Sequence, residues 1–329
     1  QLKGFDVNDA ALKLTALSLY LTALELDPAP RPLTALKFED LRGRVLFDMR
    51  SPADREHETE GLPALGSLGP HVPTEHRGKY HVVIGNPPWT AWERPTRGSL
   101  SLSRFAALNA AFEEHAKAVV GLVRKISEER LGRPAGRTVD PNVHTKGDLR
   151  TIREPSKEEP GPSAEHPFEL VDLTPDIPFC WRALDWAVAG GQIALALHAR
   201  ILFKRSEVGA RAREMLFRGT RVTGILNGAA LRETMVWPKV KAPFCLLFAE
   251  NAKPNPSDTF TFVSPLYEAG LNRRGHLRID ANAAHEVAWQ DVARTPSLLK
   301  TLFRGTDLDV AVVTRLRDAG GVPLGKYWK

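Results

Sequence analysis

Cysteine is scarce in this chain of 329 residues: only Cys180 and Cys245 occur, and neither has a cluster of histidines or acids around it. A disulfide framework and a structural zinc site are both excluded on that count, and a reducing, cytoplasmic setting fits. No run of 18 or more apolar residues is present, which excludes a membrane-spanning helix and a membrane partner. The chain carries no signal peptide and does not open on Met, so it reads as a piece of something longer. Strong charge of one sign is lacking too, with 45 Lys and Arg against 39 Asp and Glu, a net +6. That balance permits a polyanionic partner without requiring one. There are no internal repeats. What remains, 43% hydrophobic and 26% charged residues, is the composition of a folded globular protein large enough for one sizeable core and an appended segment.

Local pattern supplies the order of elements. A short strand over Leu2 to Asp6 leads through Asn8 or Asp9, both good N-caps, into a helix with Leu14, Leu17, Leu21 and Leu24 at spacings of three and four. It should stop before Asp27-Pro28. Tyr80 to Ile84 is a β-branched run ending at Gly85, and residues 104 to 123 return to helical spacing. A stretch at about 124–170, rich in Pro, Gly and charge, reads as a long insertion. Phe179 to Val188 reads as a helix closed by Gly190-Gly191. Ile193 to Leu197, Val222 to Leu226 and Phe244 to Phe248 read as further strands. Alternating strands and helices with a closing strand pair predict a three-layer α/β sheet with helices on both faces. Residues 1–251 form the main domain in this reading, and 252–329 the start of a distal module.

The chemistry is concentrated in Asn86-Pro87-Pro88-Trp89, directly after the Tyr80 strand. Loops at the carboxyl edge of a parallel sheet are where such folds hold ligands. An aromatic exocyclic amine is a poor nucleophile because its lone pair is delocalised into the ring, and acceptors on its hydrogens can redirect that pair. The Asn86 side-chain oxygen is one such acceptor and the Pro87 carbonyl a second. Pro87 and Pro88 have fixed φ and no N–H, so no helical turn can consume that carbonyl. Trp89 adds a flat face on which a base drawn from its helix can stack, a contact of about 1–3 kcal/mol. No metal is needed for direct in-line displacement on an activated methyl group.

Val83 to Trp89 resembles the catalytic motif of the amino-methylating DNA methyltransferases. The likeness is to the large adenine-N6 enzymes of type IIG restriction-modification and related BREX- or DISARM-like phage-defence systems. That resemblance implies a Rossmann-like sheet binding S-adenosylmethionine, with double-stranded DNA and other subunits of a defence system as partners. Asn86, Pro87, Pro88 and Trp89 take the catalytic positions, Asn86 also facing the cofactor. Gly4-Phe5-Asp6-Val7-Asn8 resembles the family's second motif, which places Asp6 on the cofactor ribose hydroxyls with Phe5 beside it. Leu65-Gly66-Ser67-Leu68 resembles the third motif, near the cofactor adenine, bringing in Ser67; Asp48 competes for that role. Trp237-Pro238-Lys239-Val240-Lys241 resembles the eighth motif, whose aromatic residue, here Trp237, lies against the extruded base; core packing is the alternative. The glycine-rich first motif is missing, and its usual place would precede Leu2.

Weaker signals leave alternatives open. Lys204, Arg205, Arg211, Arg213, Arg218 and Arg221 form either a solvated helix face or a phosphate contact, and Asn272-Arg273-Arg274 is a similar run. His198 reads as a packed or capping residue. Gly320 to Lys326 matches phosphate-loop spacing, yet Tyr327 stands where Ser or Thr is required. A methyltransferase acting on RNA or protein glutamine, and a catalytically silent DNA-binding or scaffold subunit, are the competing functions.

Overall fold

The computed structural model describes residues 2–29, 32–55, 62–132, 173–204, 206–295 and 297–321. Most of the insertion expected at about 124–170 lies outside them, as does most of the Gly320 to Lys326 stretch. In chain order the elements are β1 Gly4–Asp6, α1 Asp9–Glu25, β2 Leu46–Asp48, α2 Pro52–Arg55, β3 Tyr80–Gly85 and α3 Leu102–Leu131. Next come α4 Asp176–Trp186, β4 Ala187–His198, α5 Arg200–Phe203, α6 Glu207–Gly219, β5 Arg221–Asn227 and β6 Phe244–Glu250. The last are β7 Thr259–Val263, α7 Ala269–Asn272, β8 Ala284–Ala288, α8 Trp289–Arg294, α9 Leu298–Leu302 and α10 Asp307–Asp318.

Local chemistry sets several boundaries. The Asn8 side chain accepts from the N–H groups of Ala10 and Ala11 and starts α1. Ser101 caps α3 through a bond from Arg104 N. That helix runs to Leu131 with Val123 and Ile126 buried, so residues 124–131 continue the helix instead of opening the insertion. Gly190 and Gly191 do not close a helix: α4 ends at Trp186, and both glycines lie inside β4, Gly190 with φ 73°. The chain turns from helix to strand at Ala187, extended at φ −70°, ψ 141°, without needing a glycine.

The main sheet has six strands in the order β3-β4-β6-β5-β7-β8, and β1 pairs with β2 in a separate parallel pair. β3 and β4 are parallel, while β6 runs antiparallel to both β4 and β5. β7 is parallel to β5, and β8 antiparallel to β7. The sheet therefore continues past residue 251: β7 and β8, within the stretch expected to begin a distal module, extend this same sheet through residue 288.

Alternation sends Ile193, Leu195 and Leu197 of β4, and Cys245, Leu247 and Ala249 of β6, into one core with helices α3, α4 and α6. Trp181 and Phe217 close over it, each such burial contributing about 1.5–3 kcal/mol. On the opposite face Val82 is 58% exposed, Ile84 79% and Phe248 41%. The described helices thus cover one face of the sheet and not the expected two; the alternate residues of β3 and β6 have no described layer to pack against. The β1–β2 pair joins the body through Phe5 and Phe47, which pack with His76, Tyr80 and Trp186. Among the described residues no helix is long and apolar enough to cross a membrane.

Candidate functional site

Strand directions gather the site at one edge. β3, β4 and β5 all point their carboxyl ends the same way, and the register His198–Phe244 brings the start of β6 to that edge. The β3 exit loop and the 228–243 connection from β5 to β6 consequently meet there. They are distant in sequence and adjacent in space.

β3 pairs with β4 as far as Gly85–Leu195 and then stops, because Pro87 and Pro88 have no N–H to extend the ladder. The Trp89 indole supplies the next donor: its Nε1–H reaches Ala196 O at 3.0 Å. Beyond the strand, Asn86 and Pro88 are exposed, Pro87 is buried, and Trp89 is half-buried. Among the described residues nothing donates to the Asn86 side-chain oxygen or to the Pro87 carbonyl. Both acceptors at this corner are therefore without a protein donor among the described residues, the Asn86 side chain on the exposed side and Pro87 buried beside it.

The indoles of Trp89 and Trp237 touch edge to face, with centroids 5.5 Å apart and planes at 88°. A ring sandwiched between parallel faces needs about 7 Å, two van der Waals separations. The pair forms a corner and not a slot, so in this conformation a flat ligand stacks on one indole and is edged by the other. Trp237 is itself braced by the Phe244 ring, 4.8 Å away. Gly228 makes room for that ring, since a Cβ there would lie 2.2 Å from Phe244 Cε2. Two non-glycine residues of the loop, Glu233 (φ 58°) and Lys239 (φ 68°), adopt left-handed backbone at a cost of order 1 kcal/mol or more each. Glu233 N to Val240 O at 2.8 Å and Thr234 Oγ1 to Leu231 O at 2.6 Å hold them there. Strain is concentrated where the loop presents Trp237.

A second cluster surrounds the end of β1. Asp6 is exposed, its carboxylate accepts from Asn8 N at 2.7 Å, and no cation pairs with it among the described residues. Asp48 is its neighbour in register but is occupied: Arg50 grips it through Nε at 3.0 Å and Nη2 at 2.7 Å, with Arg55 at 3.8 Å. The Arg50 hydrogen bond holds the Asp48 carboxyl below the usual range. Of the two acids, Asp6 is the one available to hydroxyl donors. Ser67 is brought to the same place, because Gly66 approaches Val7 so closely that a Cβ would sit 3.0 Å from Val7 Cγ1. Phe5 turns into the aromatic cluster with Trp186 at 4.6 Å, which gives its ring a packing role. No hydrogen bond links the Asp6 cluster to the Asn86 loop among the described residues.

Two residues of this edge escaped the sequence reading. Arg200, two residues past the end of β4, donates through Nη2 to the Trp89 carbonyl. Its Nε lies 3.4 Å from Asp176 Oδ2. Asp176 opens α4 and is 1% exposed, with neither carboxylate oxygen in a well-formed hydrogen bond. Burial pushes its carboxyl up to about 7 against the opposing pull of the Arg200 guanidinium. A buried acid thus holds an arginine that holds the loop. The available signals were an isolated charge at a strand's carboxyl end and an acid opening an apolar helix. His198 accepts from Arg200 N through Nδ1 at 3.0 Å, and burial pulls its imidazole down to about 4, so it caps as the neutral form.

The basic stretch after β4 is largely engaged in structure. Arg213 is 1% exposed and donates to the carbonyls of Ile201 and Lys204, while Arg218 pairs with Glu214 and Arg221 with Glu250. Arg205 lies outside the described residues. Among the described residues no three His, Cys, Asp or Glu side chains are grouped to hold a metal.

No family model matches the chain, and no curated protein matches it. Among solved structures it is similar to the methyltransferase subunit of a type I restriction-modification system from Streptococcus thermophilus. Identity there is 11%, over 71% of this chain and 40% of that one, with a TM-score of 0.38. A modification subunit assigned to a type I restriction enzyme of Vibrio vulnificus YJ016 is 16% identical, over 36% of this chain and 28% of that one, with a TM-score of 0.29. The type I restriction enzyme EcoKI M protein is 15% identical, over 31% and 23%, with a TM-score of 0.24. The chain spans less than half the length of each of these subunits.

Proposed function

We propose that this chain carries the catalytic core of an adenine-N6 DNA methyltransferase of a restriction-modification or phage-defence system, acting in the cytoplasm on double-stranded DNA with partner subunits. The observation that carries this reading is the double-proline corner after β3, where Asn86 is exposed and the Pro87 carbonyl is unclaimed by any described residue. S-adenosylmethionine, when bound, supplies an electrophilic methyl group on a sulfonium. The residues at the end of β1 fit that cofactor: Asp6 offers its ribose an exposed carboxylate free of cations, and Ser67, on the adenine side, stands close by through the Gly66–Val7 approach.

The chain's own residues divide the remaining work. Asn86 and Pro87 accept the two hydrogens of the target amine, which localises the nitrogen lone pair for attack. An extruded adenine stacks on one indole of the Trp89–Trp237 corner, with the other ring at its edge. Arg200 fixes the loop from behind through the Trp89 carbonyl, and Trp89 fixes it from the side through Ala196 O. Positioning of this kind needs no titrating base at the nitrogen, since the methylated amine would pass its extra proton to water after the methyl has arrived.

Incubating the full-length protein with labelled methyl donor and, separately, duplex DNA, RNA and denatured protein tests the reading. Label appearing as N6-methyladenine in DNA supports it. Label confined to RNA or to glutamine replaces it with the second enzyme class, and none in any substrate leaves a silent binding subunit.

A further inference from the structure

The Asn272-Arg273-Arg274 run has no part in the site described so far, yet the fold carries it to the Trp237 loop. Asn272 is 1% exposed and serves as the joint. Its Oδ1 accepts from Glu268 N at 2.6 Å and its Nδ2 donates to His276 O at 2.9 Å. Its backbone carbonyl accepts from Met235 N at 3.1 Å. This locks the α7 segment to the 228–243 loop and opens a groove of about 480 Å³ between them. Lys239 and Lys241 line it from the loop, and Tyr267 and Arg273 from the two ends of α7.

The charge in that groove is unbalanced. Three cations face one acid, Glu233, and among the described residues no carboxylate lies within ion-pair distance of Lys239, Lys241 or Arg273. The arginines after β4 behave differently, being engaged by carbonyls and acids of the fold. Convergent, unneutralised cations on a fixed frame suit a polyanion with regularly placed charges. Tyr267, 52% exposed, and Met235, 56% exposed, add an apolar surface of the kind that lies against sugars. Lys239 is also two residues from Trp237, so whatever fills the groove sits beside the aromatic corner.

We propose that this groove binds the phosphodiester backbone of the DNA strand that presents the target base, with Lys239, Lys241 and Arg273 on its phosphates. The inference rests on the function proposed above and names where the flanking backbone runs. A positively charged track next to the corner holds the phosphates on either side of an extruded nucleotide while the base itself is on Trp89 or Trp237.

The test is duplex binding by the full-length protein, read by anisotropy across a salt series, with methyl transfer measured on the same samples. The variant is Lys239→Asn, Lys241→Gln and Arg273→Gln together; Asn tolerates the left-handed backbone at 239. Each lost phosphate contact should flatten the log–log salt slope by about 0.9, so the triple variant loses up to about 2.7. Arg218→Gln, on the far helix, should leave the slope unchanged. If the triple variant fails to fold, Lys241→Gln alone, at an exposed site with ordinary backbone, should still flatten it by about 0.9. An unchanged slope in a variant that folds and methylates DNA overturns the groove and spares the function. With duplex RNA run as a parallel series, a slope that the triple variant flattens on RNA and leaves unchanged on DNA overturns the choice of DNA. Absence of duplex binding and methyl transfer in the unmodified protein overturns both.

Discussion

Asp176→Asn isolates the buried acid behind the loop. Burial raises the Asp176 carboxyl from its ordinary 3.8 to about 7. Below pH 3.8 the folded and unfolded chains both hold this proton, and the group leaves stability unchanged. Between 3.8 and about 7 the unfolded chain has released it and the folded chain keeps it. Stability therefore falls as pH rises through that window, by about 1.4 kcal/mol per pH unit and about 4 kcal/mol in all. Above 7 both states are ionised and the loss is constant. Asn cannot titrate, so the variant lacks this slope. Denaturant unfolding at several pH values should show the variant gaining on the parent protein by about 4 kcal/mol from pH 4 to pH 7.5, whatever the constant offset from the altered Arg200 contact. Parallel curves would mean that Asp176 is not the buried, proton-holding group described here, and the clamp on Trp89 would lose its anchor.

Three further outcomes follow from the same edge. Arg200→Gln strands Asp176 without its cation, so destabilisation of about 3–5 kcal/mol is expected above pH 8 and less at pH 6, where the acid is protonated; unfolding at the two pH values compares them. Gly228→Ala drives a methyl into the Phe244 ring, and a cost of about 1–3 kcal/mol should accompany a change in the environment of Trp237, read by indole fluorescence. Trp89→Phe removes the donor to Ala196 O, for about 1 kcal/mol of stability, and should slow methyl transfer more than it weakens duplex binding.

Much of this edge was legible because its signals are local. Asn8 as a cap, the β3 run ending at Gly85 and the double proline after it each depend on a few neighbouring residues, and the structure has strand and loop at those places. Features made by distant residues were not legible. Asp176 and Arg200 belong to a helix start and a strand exit, and only the packing of α4 on β4 places them 3.4 Å apart. Arg213 looked like a surface charge until its guanidinium proved to be satisfied by buried carbonyls. β7 and β8 are short and alternate polar with apolar; β7 joins the sheet by pairing with β5, earlier in the chain, and β8 joins only through β7. The open face of the sheet follows from which residues the other elements fail to reach, which periodicity does not encode.

Asn86 is the acceptor on which activation of the amine most depends. Methyl transfer by the full-length protein to an adenine-containing duplex should fall at least about a hundredfold in Asn86→Ala, the loss expected when one polar group aimed at developing charge is removed. Duplex affinity and unfolding should stay as in the parent. Transfer at an undiminished rate would contradict the mechanism at its centre.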